Sequence, residues 1–178
     1  MANNVLTGAG QVLDTDVRYV KWVGKTKGGL PVQIELEKAF CRSNPDWTFE
    51  EKNETTPALE FEGLYDDEKL AAGDRTEPWK LTLGDGLQAG NGEILLGVGK
   101  FYIGKTAADA KPVGLTRGGG SFVVEREYRD INADDDPGSV VGRISKDTAR
   151  PKLTLNALQW LSKVSDLYAC ITTAPATT

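Results

Sequence analysis

Histidine is missing from all 178 residues, and cysteine occurs only twice. Without histidine there is no Ser-His-Asp triad, no Cys-His nucleophile, no histidine-ligated zinc and no kinase-type catalytic loop. Cys41 and Cys170 stand far apart in an otherwise ordinary chain, a pattern expected of reduced, partly buried small hydrophobes. Long apolar runs are missing too. The longest, around Ile94 to Val98, is far too short to span a bilayer. The opening MANNVLTGAG has neither a cationic nor an apolar signal region. No run of basic residues occurs, and 26 acidic residues outnumber 21 basic ones for a net charge of -5. That balance argues against a nucleic-acid clamp, which neutralises phosphates with clustered Lys and Arg. A soluble protein, made and used in a cytoplasm, is expected.

What is abundant is glycine, 20 residues, together with short alternating segments. This length suits one compact domain that buries roughly 70% of the unfolded chain's surface. Val17 to Val23 (VRYVKWV) is β-branched and aromatic and predicts a strand. A Lys27-Gly28-Gly29 turn leads to Pro31–Leu36, where Val32, Ile34 and Leu36 alternate with Gln33 and Glu35. The pair reads as a hairpin. Pro57 to Tyr65 alternates again, and Pro78 to Leu83 predicts another short strand.

Gly84 to Gly92 (GDGLQAGNG) has the composition of a flexible linker. Beyond it, Ile94–Ile103 predicts a strand. Ser121–Ile131 follows a Gly118-Gly119-Gly120 hinge, with Phe122, Val124 and Tyr128 on one face and Glu125, Glu127 and Arg129 on the other. Asn132–Gly138 is an acidic turn-forming loop, and Arg150–Asn156 a further strand. Ala157–Ile171 carries a stripe at 3-4 spacing (Leu161, Val164, Leu167, Tyr168, Ile171) and predicts the one helix. Seven or eight strands with glycine-rich turns favour a sandwich or barrel.

Two motifs invite chemistry. Gly99 to Thr106 (GKFYIGKT) fits the phosphate-loop pattern G-x-x-x-x-G-K-[ST]. Its middle residues, however, prefer an extended strand, and Pro112 follows too soon for the helix such a loop requires. A strand ending in a turn is the expectation. Asp130, Asn132, Asp134 and Asp136 alternate like the opening of a calcium loop, but Asp135 and Val141 stand where glycine and glutamate are needed. An acidic solvated loop is expected. Glu60 with Glu62, and Glu125 with Glu127, read as an exposed strand face. The four tryptophans (Trp22, Trp47, Trp79, Trp160) read as core. No catalytic residue, metal or cofactor is expected.

A string of segments carries a resemblance. Gly97–Gly104, Val113–Ile131 with its "GLTRGGG" turn and "EREYRDI" end, Gly138–Ile144 and Arg150–Leu155 resemble the N-terminal half of the major tail tube proteins of long-tailed bacteriophages. Val17–Leu36, Thr55–Asp66 and Glu77–Leu81 resemble that family's C-terminal half. The order is reversed. Residues 1–83 correspond to the usual second half, 93–178 to the first, and 84–92 joins them, as in a circular permutation; neighbouring termini in the parent fold would make it tolerable. The linker's composition suits an engineered joint, with a natural permutation left open.

The resemblance implies a β-sandwich or half-open barrel of two packed antiparallel sheets with one flanking helix. It implies a non-enzymatic virion protein, assembled in the host bacterial cytoplasm, that forms hexameric rings stacked into a tube through which DNA passes without specific binding. Its partners would be copies of itself and other tail proteins. An acidic lining would avoid holding phosphates, and Glu35, Glu60, Glu62, Glu125 and Glu127 are its candidates. The stretch Asp130, Asn132, Asp134, Asp135, Asp136, Pro137 and Gly138 is the candidate contact with the adjacent subunit or ring. The alternative is a monomeric accessory β-domain that binds a ligand or a host or phage protein.

Overall fold

A computed structural model of the chain describes residues 5–8, 14–44, 57–84, 95–114, 116–131, 144–157 and 171–174. The protein is mainly β. An eight-stranded antiparallel sheet runs in the order β7-β6-β2-β3-β4-β9-β8, with β5 also on β3, and a two-stranded ribbon joins β1 to β10. The strands are β1 (Val5–Gly8), β2 (Arg18–Thr26), β3 (Pro31–Cys41), β4 (Ala58–Gly63), β5 (Lys80–Leu83), β6 (Leu95–Gly104), β7 (Lys111–Pro112), β8 (Thr116–Asp130), β9 (Ile144–Ala157) and β10 (Ile171–Ala174).

The alternating sequence sets which face each strand buries. In β3, Val32, Ile34 and Leu36 are buried, while Gln33 and Glu35 are only half-buried. In β9 the inward row runs Ala149, Pro151, Leu153, Leu155 and Ala157 without a break. Phe61, Leu36, Leu59, Leu155 and Val20 are fully buried and lie at the centre of the core. Each such side chain contributes about 1.5–3 kcal/mol. Trp22 completes the core with a close approach. Gly24 on its own strand pairs with Gly99 of β6. A Cβ on either glycine would lie only 2.1–2.3 Å from the indole, so the ring rests directly on bare backbone.

Strand β3 gives the sheet its shape. One of its edges is held by β2 along most of its length. The other is divided: Val32–Glu35 pair with β5, and Ala39–Cys41 pair with β4. The sheet therefore parts at β3 into two leaves, one ending in β5 and the other continuing through β4, β9 and β8. Trp79, just before β5, meets Phe122 of β8 across the core, with ring centroids 5.6 Å apart and tilted by 59°. Phe101 of β6 also reaches β8. A Cβ on Gly120 would lie 3.0 Å from Phe101 Cζ and 2.3 Å from the Thr154 carbonyl oxygen.

Several expectations need correction. Gly118–Gly120 fall within β8, at an irregularity where Thr116 pairs with Ala157 and Gly120 with Leu155, so that residues 117–119 fall outside the register with β9. Gly119 takes a positive φ of 79° there, and bare Gly120 lets β8 pass close to β9 where the ladder resumes. The expected helix over Ala157–Ile171 is wrong at both ends. Ala157 closes the inward row of β9 and Ile171 opens β10; its interior lies outside the described residues. A short helix that the periodicity did not announce, α1 (Asp67–Ala71), follows β4 instead. Asp66 caps it by accepting from the Glu68 amide at 3.1 Å, and Asp67 and Glu68 place negative charge at its start. Of the linker, only Gly84 is described; its amide donates to the Pro31 carbonyl at 2.9 Å.

The chain ends are joined through β1 and β10, where Val5 lies opposite Ala174 and Gly8 opposite Ile171. No helix among the described residues is long and apolar enough to cross a membrane.

Candidate functional site

The five acidic candidates fall into two groups. Glu35 of β3 sits on the outer face of the first leaf, opposite Lys21 of β2, and accepts a hydrogen bond from the Tyr19 hydroxyl. Burial and this carboxylate together push the Tyr19 phenol far above its ordinary range. The other four gather on the outer face of β4, β9 and β8. There Lys152 lies between Glu125 at 3.0 Å and Glu60 at 3.9 Å. Glu127 accepts from the Thr148 hydroxyl at 3.0 Å. Glu62 is not an open strand position: it is 9% exposed and bound by Arg42 at 2.5 Å. This face is therefore a mixed-charge ladder, and its carboxylates act largely on their own neighbours.

Of the expected contact loop, Asp130 belongs to β8, where it pairs with Ile144; Asn132, Asp134, Asp135, Asp136, Pro137 and Gly138 lie outside the described residues. The strands leading to that loop are informative. From Glu125 on in β8, and over most of Ile144–Arg150 in β9, side chains are exposed or half-exposed while the ladder pairing persists. The two strands thus run on past the core as a ribbon. Tyr128 does not join Phe122 and Val124 in the core. It is 62% exposed because its part of β8 lies beyond the core's end, and Ile131 (55%) and Ile144 (50%) near the ribbon's tip are exposed with it.

A half-buried carboxylate fastens the base of this ribbon. Glu77, 14% exposed, accepts from Arg126 Nε and Nη2, each at 3.0 Å. It also accepts from Lys146 Nζ at 2.7 Å and from Trp79 Nε1 at 2.6 Å. Arg126 is on β8 and Lys146 on β9, so one side chain ties the β5 leaf to the opposite leaf. The Arg126 guanidinium first, with Lys146 and the indole, holds the carboxyl down at about 2 despite its burial. Sequence reasoning missed this residue, because Glu77 sits in an irregular segment whose partners are 49 and 69 positions away.

Beside it, a cleft of about 170 Å³ is lined by Glu37, Lys38, Asp66, Lys69, Glu77 and Trp79, among others. Lys38 pairs with Asp66 at 2.8 Å and Lys69 with Glu37 at 2.5 Å. Its charges satisfy each other, and it is smaller than the usual ligand pocket of about 300 Å³ or more.

The phosphate-loop pattern is built as a strand. Lys100–Gly104 pair with β2, so their amides serve the ladder and form no cradle. Lys105 and Thr106 sit in the turn that follows, where Thr106 Oγ1 donates to Asp109 Oδ2 at 2.8 Å. Gly99 is needed for the Trp22 ring above it. The alternate acidic positions of the calcium-like stretch lie outside the described residues beyond Asp130, and no group of three or more candidate ligands assembles among the described residues. Cys41 is a free, buried thiol, pushed up to about 11 by its burial. Trp22 belongs to the core and Trp79 packs against it; Trp47 and Trp160 lie outside the described residues. Comparison of the chain with protein-family models, with curated proteins and with solved structures finds no match.

Proposed function

We propose that this protein is a structural subunit of a phage tail tube, self-assembling into stacked rings that form a conduit for DNA. The observation that carries the reading is the β8–β9 ribbon. It extends past the core and leaves Tyr128 and Ile144 exposed on a paired backbone, with Ile131 exposed just beyond the last pair. A paired, partly apolar extension with these side chains exposed suits a subunit completed by its neighbours. The divided edge of β3 and the Trp79–Phe122 contact support a half-open barrel of two facing leaves. The permuted order accommodates the β1–β10 pairing, which sets Val5–Gly8 beside Ile171–Ala174. The joint fits as well. Gly84 and Leu95 lie at the same end of β5-β3-β2-β6, three strand spacings or about 14 Å apart. The residues between them can easily span that gap.

Deleting Asn132–Gly138 should leave a folded monomer that no longer polymerises, read by circular dichroism and by negative-stain microscopy. Tubes of normal appearance from that variant would refute the assignment. A wild-type chain that stays monomeric at high concentration in sedimentation would favour the accessory-domain alternative.

A further inference from the structure

The fold assembles a basic surface that no stretch of sequence displays. Residues 17–31 and 99–104 hold no carboxylate and carry Lys21, Lys25, Lys27 and Lys100. The antiparallel pairing of β2 with β6 brings these segments together. Lys100 lies opposite Val23, and Lys21 and Lys25 flank Val23 on the same face of β2. Those three ammonium groups therefore share an area about 13 Å long and one strand spacing wide. Lys27 lies at the hairpin end; Lys111, opposite the core-packed Ile103, is on the other face.

The ion pairs on β3, β4, α1, β8, β9 and the lead-in to β5 use other cations. Lys21 sits over the Tyr102 ring at 5.7 Å, and Glu35, the carboxylate opposite it, holds the Tyr19 hydroxyl. Lys25, Lys27 and Lys100 are exposed and have no ion-pair partner among the described residues. In a chain of net charge -5, a segregated patch of this kind is a surface for an anionic partner.

We infer that the β2–β6 lysine surface receives the acidic Asp130–Asp136 segment of a second copy of this chain. The inference rests on the self-assembly proposed above, and charge complementarity selects the occupant. Residues 130–136 (DINADDD) hold four carboxylates and no cation, and the sequence enters them from β8, which ends at Asp130. The pair β2–β6 and strand β8 lie towards opposite ends of the sheet order, so the contact joins two different patches. A head-to-tail contact of that type closes into rings or propagates as a filament.

Charge exchange tests it. K25E/K100E and D135K/D136K should each weaken self-association about tenfold or more, as expected when close opposite charges become like charges. Sedimentation velocity and light scattering read the loss, with circular dichroism confirming the fold. Mixing the two variants should restore association, and raising salt from about 0.05 to 0.5 M should weaken the wild type. K25Q/K100Q, intermediate in effect, guards against a local disturbance by glutamate. Wild-type assembly that both lysine variants leave intact would overturn the contact while sparing the tube reading. Failure of the mixture to recover would overturn Asp130–Asp136 as occupant. A wild type that never associates would overturn both. Binding of duplex DNA to the patch, lost in K25E/K100E without any change in self-association, would assign the surface to nucleic acid and overturn the inference.

Discussion

Replacing Glu77 by Gln should destabilise the protein by about 1–3 kcal/mol at pH 7, and the deficit should shrink in acid. Glu77 accepts four hydrogen bonds, three of them from the cations Arg126 and Lys146. Its folded carboxyl titrates at about 2 against a model-compound value of 4.5. At about 1.4 kcal/mol per unit, that difference sets an upper figure of roughly 3 kcal/mol. The carboxylate is 14% exposed, but Arg126 and Lys146 are 37% and 36% exposed, so solvent screening brings the expected effect to about 1–3 kcal/mol. The direction follows from linkage: a carboxyl depressed on folding gives its full contribution above the unfolded value near 4.5 and loses it as pH falls towards 2. Urea unfolding followed by tryptophan emission, with Trp79 itself a reporter, measures both proteins from pH 7 to 3. Glutamine keeps the size and can still accept from the indole, but it leaves Arg126 and Lys146 without an anion. A deficit under 0.5 kcal/mol, or one that does not change with pH, would refute the account of Glu77 as the tie between the two leaves.

Gly120→Ala should cost about 1–3 kcal/mol, because its Cβ would stand 2.3 Å from the Thr154 carbonyl oxygen, a backbone atom held in the β9 ladder; thermal unfolding within error of wild type would contradict this. Phe61→Ala should cost about 3–5 kcal/mol, since the ring is fully buried at the centre of the core, and equilibrium denaturation measures it. In a Cys170→Ser background, Cys41 should react with a thiol reagent at pH 8 only as fast as the protein opens, because it is buried and titrates at about 11; prompt labelling of the native state would show the site to be accessible.

Periodicity carried the strands. Where apolar and polar residues alternate at Val32 to Leu36 and Leu59 to Phe61, the chain is extended and buries the apolar side, whereas Leu81 and Leu83 of β5 alternate in the same way and are exposed. The phosphate-loop pattern was also legible as a strand, because Lys, Phe, Tyr and Ile fill a pleat and do not form a cradle. The helix over 157–171 was misjudged at its ends for a related reason. Ala157 and Ile171 fit a helical stripe and a strand's inward row equally well, and only the neighbouring strand decides between them.

Local preference thus determined by itself that the chain is a strand-rich, acidic protein without the residues for histidine chemistry. It also placed β2, β4, β5 and β6 within about three residues at each end, because a strand's facing is set by its own side chains, whereas β3, β8 and β9 run about five or six residues further and β1, β7 and β10 were not announced. What the tertiary structure decided are relations between distant segments. Only the divided edge of β3 parts the sheet into two leaves. Only the approach of the lead-in to β5 to β8 and β9 brings Glu77 to Arg126 and Lys146, and only strand pairing sets Glu62 beside Arg42 and Lys152 beside Glu60 and Glu125 while Tyr128 stays outside the core. Lysines scattered over two segments became one surface through the β2–β6 pairing. Charge and exposure act through space, and spatial neighbours are fixed by pairing and packing, which no stretch of sequence contains on its own.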